Sequence, residues 1–208
     1  MFKTSEVCPR THYLIAEVVE EASFPAGVLN VLRNTPEDAA QVVGALIDHP
    51  VVRRINFTGS TRMGRAIAER AARHLKPVLI ELGGKAPVLV LHDADLKKSA
   101  KATTFGAFAN QGQICTSTDR IIVGRRVADD LVERVAIRTS RLVTGDPRSG
   151  NTPLGCLVSH QAAARIHRLL DDALAQGARL VTGGRPDGLL INATVIEDVT
   201  LAMDLFPV

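Results

Sequence analysis

The first third of the chain alternates helix-period and strand-period segments with short connections, and this order constrains the fold more than any other feature. Apolar residues at helical spacing predict a first helix that stops at Phe24-Pro25. The expected strands are 28–32, 53–58 and 77–81, and the expected helices between them run from 35 to about 50 and from about 61 to 73. A helix between consecutive strands favours parallel pairing, because the crossover returns the chain to the same end of the sheet. We therefore expect an α/β fold with a parallel sheet covered by helices.

The pattern is interrupted at Gly83-Gly84, where we place a domain boundary that gives domains 1–83 and 84–208. Beyond it the sequence predicts strands at 88–91, 120–123 and 178–181 and helices at 96–108, 128–142 and 159–176. A polar turn at 110–113 and a loop at 145–155 connect these segments.

Composition excludes several classes of function. Lys and Arg number 25 against 22 Asp and Glu, and a net charge of +3 with 3% aromatic residues and no Trp does not indicate a nucleic-acid-binding protein. No apolar run approaches the roughly 20 residues that span a bilayer, and the first ten residues do not resemble a signal peptide. Three widely separated cysteines, Cys8, Cys115 and Cys156, exclude a disulfide framework and a CxxC metal site. We expect a cytoplasmic protein with no metal site and no nucleic-acid or membrane partner.

A strand that runs into a small-residue turn and then a helix suggests an anion site at Gly59, Ser60 and Thr61. The first N–H groups of a helix and its dipole favour an anion, and a glycine lets the backbone approach a ligand closely. The spacing matches neither a Walker A loop nor GxGxxG. The alternative is a glycine-tightened turn in which Ser60 caps the helix.

Glu81 is a candidate general base because it ends an apolar strand directly before two glycines. A carboxylate that leaves a buried strand is partly desolvated, and the glycines leave room above it for a substrate or cofactor. The alternative is a strand-terminal Glu that points to water.

Cys115 is a candidate nucleophile because it follows a polar, glycine-containing turn. A helix beginning near Thr116 would stabilise both the thiolate and an oxyanion through its first N–H groups. The alternative is a small buried hydrophobic residue, which is the role we expect for Cys8 and Cys156.

These segments, in this order, resemble the aldehyde dehydrogenase superfamily. The matching stretches are 3–6, 24–30, 57–64, 81–85, 110–115, 153–155 and 177–178. The interval of 34 residues from Glu81 to Cys115 is the interval that the family uses between its general base and its nucleophile. The stretches 34–39 and 92–96 look most like the branch that acts on aromatic aldehydes such as salicylaldehyde, vanillin and benzaldehyde. The resemblance implies the C-terminal part of a Rossmann-like NAD-binding domain in 1–83 and part of the catalytic α/β domain in 84–208.

The resemblance also implies the catalytic roles. Cys115 attacks the aldehyde carbon, hydride passes to the nicotinamide, and Glu81 activates the water that releases the acid from the thioester. Glu81 is also a candidate to take the thiol proton in the earlier step. Leu82 faces the nicotinamide end. The substrate is an aldehyde, and full-length relatives are homo-oligomers.

The cofactor-binding residues are likewise implied by the resemblance. Gly59, Ser60 and Gly64 face the pyrophosphate, whereas Lys3 and Glu6 hold the adenine-side ribose. A Glu at that position accepts hydrogen bonds from both ribose hydroxyls and repels a 2′-phosphate, which favours NAD over NADP.

The sequence departs from the family in two places. Family members are more than twice this length, and the Asn of their oxyanion hole lies upstream of residue 1. The family's second ribose-binding Glu follows the residue matched by Met203, but here 204–208 reads Asp-Leu-Phe-Pro-Val, as if a segment were deleted and the catalytic domain truncated. The alternative function is therefore a catalytically inactive, nucleotide-binding relic. A relative that passes the thioester to coenzyme A is disfavoured, because that chemistry has no use for the carboxylate of Glu81.

Overall fold

A computed structural model describes residues 1–206 and contains four two-stranded sheets, two in each of the units into which the chain divides. The N-terminal unit is Met1–Leu82 and the C-terminal unit begins at Gly83. This division lies one residue before the expected boundary, and the assignment of the units to cofactor and catalytic domains stays a prediction. Pro207 and Val208, which entered the comparison with the family's C-terminal segment, lie outside the described residues.

The N-terminal unit has the expected alternation of strands and helices. Its elements are β1 (Phe2–Lys3), α1 (Pro9–Glu21), β2 (Val31–Leu32), α2 (Ala39–Asp48), β3 (Ile55–Gly59), α3 (Thr61–Ala72) and β4 (Val78–Leu82). β1 pairs with β2 and β3 with β4, both in parallel. The α/β class and the parallel pairing are therefore confirmed.

The predicted start of the second helix, with Thr35 as its N-cap, is wrong by three residues, because the residue at the N-cap position is Asp38. Thr35 does not cap a helix, because its hydroxyl donates to the Asp38 carboxylate at 3.0 Å instead of accepting a backbone N–H. Residues 36–38 form a turn, and α2 begins at Ala39. The apolar face predicted for α1 is present, but no residue of α1 is buried.

The β3–β4 pair is covered on one face only. Ile55 and Phe57 pack with α2 and α3 around a core of Ile47, Ile67 and Ala71. The opposite face carries Asn56, Thr58, Leu79 and Glu81, all of which are exposed. Both faces of a parallel sheet are normally covered. In the part of the chain that the structure describes, by contrast, this face of the β3–β4 pair is open.

Gly64 allows α3 to approach β4. A Cβ at this position would lie 2.8 Å from Leu82 Cδ2, closer than carbon atoms approach each other, and 3.1 Å from Ile80 Cγ2, which is a tight contact. The glycine, which the resemblance assigns to the pyrophosphate, therefore also has a packing role.

Gly64→Val is expected to lower the free energy of unfolding by about 1–3 kcal/mol, because the added methyl groups overlap the side chains of β4. Urea unfolding of the chain measures the effect. Gly83→Val is the matched control, since no atom of residues 1–206 outside its immediate neighbours lies within 4 Å of its Cβ position, and it should change stability by less than about 0.5 kcal/mol. Equal stability of the two variants would contradict the packing role.

The C-terminal unit contains a third parallel pair and an antiparallel pair. Its elements are β5 (Pro87–Val90), α4 (Leu96–Phe108), β6 (Arg120–Val123), α5 (Ala128–Thr139), α6 (His160–Ala175), β7 (Arg179–Thr182) and β8 (Val195–Glu197). β5 pairs with β6 in parallel, and β7 pairs with β8 in the antiparallel sense. β8 was not predicted from the sequence. Asp95 and Ser159 cap α4 and α6 by accepting backbone N–H groups.

The β5–β6 pair also has one covered face. Val90 packs with Ala100, Leu131 and Val135 of α4 and α5. On the other face Leu89 and Ile122 lie directly opposite each other and are 66% and 54% exposed. Within residues 1–206, no helix combines the length and the hydropathy needed to cross a membrane.

Candidate active site

The turn between β3 and α3 has the geometry of a capped helix N-terminus. Gly59 is the last residue of β3, and the Ser60 hydroxyl accepts the Met63 N–H at 3.4 Å. The Gly64 N–H bonds the Ser60 carbonyl at 2.9 Å, so regular helix bonding begins there and the N–H groups of Thr61 and Arg62 have no partner within α3. The capping alternative is therefore confirmed. It is compatible with an anion at the two free N–H groups, and the pyrophosphate role stays a prediction.

Lys3, the last residue of β1, lies next to Glu6. The Lys3 ammonium pairs with the Glu6 carboxylate, and both side chains are about four-fifths buried. Asn34 Nδ2 donates to Glu6 Oε1 at 2.9 Å. The hydrogen bond from Lys3 holds the pKa of Glu6 down at about 2, against an opposing effect of burial, so this carboxylate is ionised at neutral pH.

Asn34 is a candidate cofactor residue that the sequence analysis did not assign. Its Oδ1 is buried and has no hydrogen-bond partner among residues 1–206. Ribose hydroxyls are donors that could satisfy an acceptor at this place, so the donor and acceptor set of Lys3, Glu6 and Asn34 fits the ribose of a dinucleotide.

Leu82 lies next to the β3–α3 turn because it pairs with Gly59 at the ends of β3 and β4. Its side chain is partly exposed and packs over Gly64. The structure thus brings Gly59, Ser60, Gly64 and Leu82 into one corner of the N-terminal unit. The expected proximity of Leu82 to the nicotinamide is not tested by these contacts.

Glu81 is exposed, and the expectation that it is partly desolvated is wrong for the described chain. It lies within β4, opposite Thr58, on the open face of the β3–β4 pair. Strand alternation is the reason: Ile80 faces α3, so its neighbour Glu81 must face away from the covering helices. The carboxylate is available to solvent on the uncovered side of the sheet.

Cys115 is exposed in a turn, and no helix begins near Thr116. The Ser117 N–H bonds the Ile114 carbonyl at 3.0 Å, and the Thr118 N–H then bonds the Gly106 carbonyl at 3.0 Å. The chain is thereby extended toward β6 and cannot enter a helix. The predicted helix N-terminus is wrong, and so is the buried alternative for Cys115.

Cys8 and Cys156 are also exposed, so the prediction that they are buried is wrong. All three cysteines are therefore exposed to solvent. Cys115 differs from the others in the backbone that precedes it.

The loop before Cys115 has an unusual backbone conformation. Asn110 and Gln111 have φ values of 50° and 58°, and Gly112 follows with φ of 71°. Left-handed conformation costs about 1–2 kcal/mol for most residues with a side chain and less for Asn, so the strain in this loop lies mainly at Gln111. At Gly112 a Cβ would lie 2.8 Å from the Ala107 carbonyl oxygen, which requires a glycine there. Strain of this kind is frequent at active sites.

The order and spacing of these features match a known family. Residues 1–207 match the sequence description of the aldehyde dehydrogenase family. The chain belongs to the aldehyde dehydrogenase family. The resemblance inferred from the sequence is therefore confirmed, and the strained loop and Cys115 lie within the matched region.

Relatives of this aldehyde dehydrogenase chain act on aromatic aldehydes according to their names. It is 50% identical over 206 residues to the vanillin dehydrogenase of Pseudomonas fluorescens, covering 99% of this chain and 43% of that protein. The crystal structure of a salicylaldehyde dehydrogenase from Pseudomonas putida G7, complexed with salicylaldehyde, matches with a TM-score of 0.94 and 46% identity, over 98% of this chain and 42% of that chain. The chain thus spans less than half the length of these relatives, and it resembles the aromatic branch.

The comparisons leave the choice of cofactor open. An NADP-dependent enzyme from E. coli matches with a TM-score of 0.93 and 34% identity, over 98% of this chain and 42% of that chain. NAD-dependent family members are similar to the chain as well. The family therefore includes enzymes of both dependences.

Proposed function

We propose that this chain contributes the nucleophile, the general base and part of the cofactor site of an NAD-dependent dehydrogenase that oxidises aromatic aldehydes to carboxylic acids. The observation that carries the proposal is an exposed Cys115 directly after a strained loop, in a chain 50% identical to a vanillin dehydrogenase. An exposed thiol can reach a substrate, and a constrained loop limits the directions in which it does so.

Cys115 acts through its sulfur. The thiolate forms a C–S bond to the aldehyde carbon, and the carbonyl oxygen becomes an oxyanion that the Cys115 backbone N–H stabilises. A bound nicotinamide supplies the hydride acceptor that this oxidation requires. The product on the protein is a Cys115 thioester.

Glu81 acts on the thioester as a general base. Its carboxylate accepts a proton from water as that water attacks the acyl carbon. The C–S bond breaks, the carboxylic acid leaves, and the Cys115 thiolate is restored. The exposure of Glu81 on the open sheet face supports access of water to this group.

The N-terminal unit supplies the cofactor contacts in this proposal. The free N–H groups at the start of α3 hold the pyrophosphate, next to Gly59, against which the Phe57 ring packs. The ribose is bound by Lys3, Glu6 and Asn34. The unpartnered Asn34 Oδ1 accepts a hydrogen bond from a ribose hydroxyl. The ionised Glu6 repels a 2′-phosphate, which supports NAD over NADP.

Glu6→Gln is expected to reduce the preference for NAD over NADP by about tenfold or more, because it removes the negative charge that opposes the 2′-phosphate. The measurement is kcat/KM for each cofactor with one aldehyde. Glu20→Gln, at an exposed position near the end of α1, is the control and should leave the ratio unchanged. An unchanged ratio in Glu6→Gln would remove Glu6 from cofactor discrimination.

The proposed function is tested by following NADH formation by the chain with vanillin, salicylaldehyde, benzaldehyde and octanal. We expect turnover, with kcat/KM for the aromatic aldehydes about tenfold or more above that for octanal. Turnover that favours octanal would contradict the aromatic assignment. Absence of turnover with all four would contradict the activity.

A second candidate function is cofactor binding without turnover. It is favoured by the exposure of both Glu81 and Cys115, since catalytic groups usually work in a site from which water is largely excluded. The shift in melting temperature that NAD causes in the Cys115→Ala variant measures cofactor binding separately from turnover. Stabilisation by NAD without NADH formation in the parent chain supports binding alone, and no stabilisation contradicts both functions.

A further inference from the structure

Gln113 connects the nucleophile loop to a separate segment of the C-terminal unit. Its Oε1 accepts the Val158 N–H at 2.8 Å, and its Nε2 lies 3.5 Å from the Cys156 carbonyl oxygen, a long donated bond. The short bond to Val158 is therefore the principal contact. Gln113 lies two residues before Cys115, so this contact restrains the backbone that leads into the nucleophile.

Gln111 makes a second connection to the same segment. In one orientation of its amide, its oxygen accepts the Gly155 N–H at 2.8 Å and its nitrogen donates to the Asn110 carbonyl at 3.0 Å; in the opposite orientation its oxygen accepts from Gln113 Nε2 at 3.3 Å instead. Gln111 is itself one of the two residues of this loop that have a side chain and a left-handed conformation. Its side chain thus bonds both to its own strained turn and to the supporting segment.

The segment 155–158 can serve as a support because the chain on both sides of it is anchored. Leu154 and Leu157 are each only 4% exposed. The Leu154 carbonyl accepts the Gly145 N–H at 2.9 Å, and the Leu157 N–H donates to the Leu189 carbonyl at 2.8 Å. The loop before Cys115 is therefore bonded to a second loop that is itself anchored, at Leu154 directly before the segment and at Leu157 within it.

We propose that Gln113 is a positioning residue for Cys115, with Gln111 as a second contact of the same kind. The side chain of Gln113 touches neither substrate nor cofactor in this proposal. It holds the left-handed turn at 110–112 against its strain, so that the Cys115 sulfur and N–H keep one direction. The inference rests on the proposed function of Cys115 as nucleophile.

The first test compares Gln113→Met, which keeps the length of the side chain without its hydrogen bonds, with Gln113→Glu, which keeps an oxygen to accept the Val158 N–H. We expect Gln113→Met to lower kcat about 10- to 100-fold with KM for the aldehyde changed less than about threefold. Gln113→Glu should retain distinctly more of kcat than Gln113→Met. Gln41→Met is the matched control, since Gln41 is exposed on α2 and its side chain makes no hydrogen bond within residues 1–206.

The proposal is overturned if Gln113→Met retains the kcat of the parent chain, or if Gln113→Glu is no better than Gln113→Met. Should Gln113→Met be too unstable to assay, Gln111→Met provides the second variant, and it should lower kcat in the same way. If neither Gln113→Met nor Gln111→Met lowers kcat, or if Gln41→Met lowers it equally, the positioning role is rejected.

Hydrogen–deuterium exchange distinguishes failure of this inference from failure of the proposed function. We expect faster exchange at the Val158 N–H and across 110–118 in Gln113→Met but not in Gln41→Met. Unchanged exchange rejects the contact itself, whatever the activity. If the parent chain and Cys115→Ala show the same rate of NADH formation, the proposed function fails and the positioning role fails with it, while faster exchange would still identify Gln113 as a structural contact.

Discussion

Replacing Cys115 with alanine is expected to lower NADH formation by about 10⁴-fold or more, to the background of cofactor and aldehyde without protein. The reason is that alanine cannot form the C–S bond on which every later step depends, and loss of a catalytic nucleophile has effects of this size in other enzymes. The measurement is the initial rate of NADH formation at saturating aldehyde and NAD.

The chain offers two matched controls for this variant. Cys8 and Cys156 are free and exposed, as Cys115 is, so Cys8→Ala and Cys156→Ala remove a thiol of the same burial class. Both should retain the parent rate within about threefold. Equal rates for Cys115→Ala and the parent chain would exclude Cys115 as the nucleophile, and a large loss in Cys8→Ala or Cys156→Ala alone would identify a different reactive thiol.

Replacing Glu81 with glutamine is expected to lower the steady rate by about 10²–10⁴-fold while leaving a first burst of NADH. Glutamine cannot accept a proton from water, so the thioester on Cys115 persists after the oxidation. The burst should approach one NADH per chain, and the intact mass of the protein should rise by the mass of the acyl group. Stopped-flow detection of NADH and mass spectrometry of the quenched protein measure the two effects.

The burst also tests whether Glu81 takes the thiol proton. A burst at the parent rate assigns Glu81 to hydrolysis alone, and a slowed burst assigns it to both steps. Glu69→Gln is the matched control, because Glu69 is an exposed glutamate of α3 in the same unit, and it should behave as the parent chain does. A steady rate in Glu81→Gln equal to that of the parent would exclude Glu81 as the base.

The sequence predicted elements most accurately where periodicity and end residues agreed. α4 and β6 were predicted at their observed bounds, and the structure shows that Asp95 caps the start of α4. β8 was missed because three residues carry no usable period. The start of α2 was misplaced because Thr35 can bond either a backbone N–H or a carboxylate, and the sequence does not decide between them.

The candidate site was predictable in its residues but not in its surroundings. The spacing of Glu81 and Cys115 could be read directly, whereas the exposure of Glu81 depends on which strand face the helices cover. A helix after Cys115 is absent because the Thr118 N–H bonds the Gly106 carbonyl. This contact joins residues that are not adjacent in sequence, so the sequence does not reveal it. The left-handed conformation of Gln111 could not be predicted, since Gln has no preference for it, whereas Asn110 and Gly112 are of the residue types that adopt it most readily.

The uncovered faces of the β3–β4 and β5–β6 pairs have a consequence for laboratory work with this polypeptide. Leu89 and Ile122 on one pair and Leu79 on the other present branched aliphatic groups to water, next to strand edges that can still bond another chain. Such surfaces adhere to one another more strongly as sulfate is added and less strongly in the cold. Purification by salting out would therefore enrich aggregated protein, whereas a dilute, cold, low-salt buffer would keep the protein unaggregated for the assays described above.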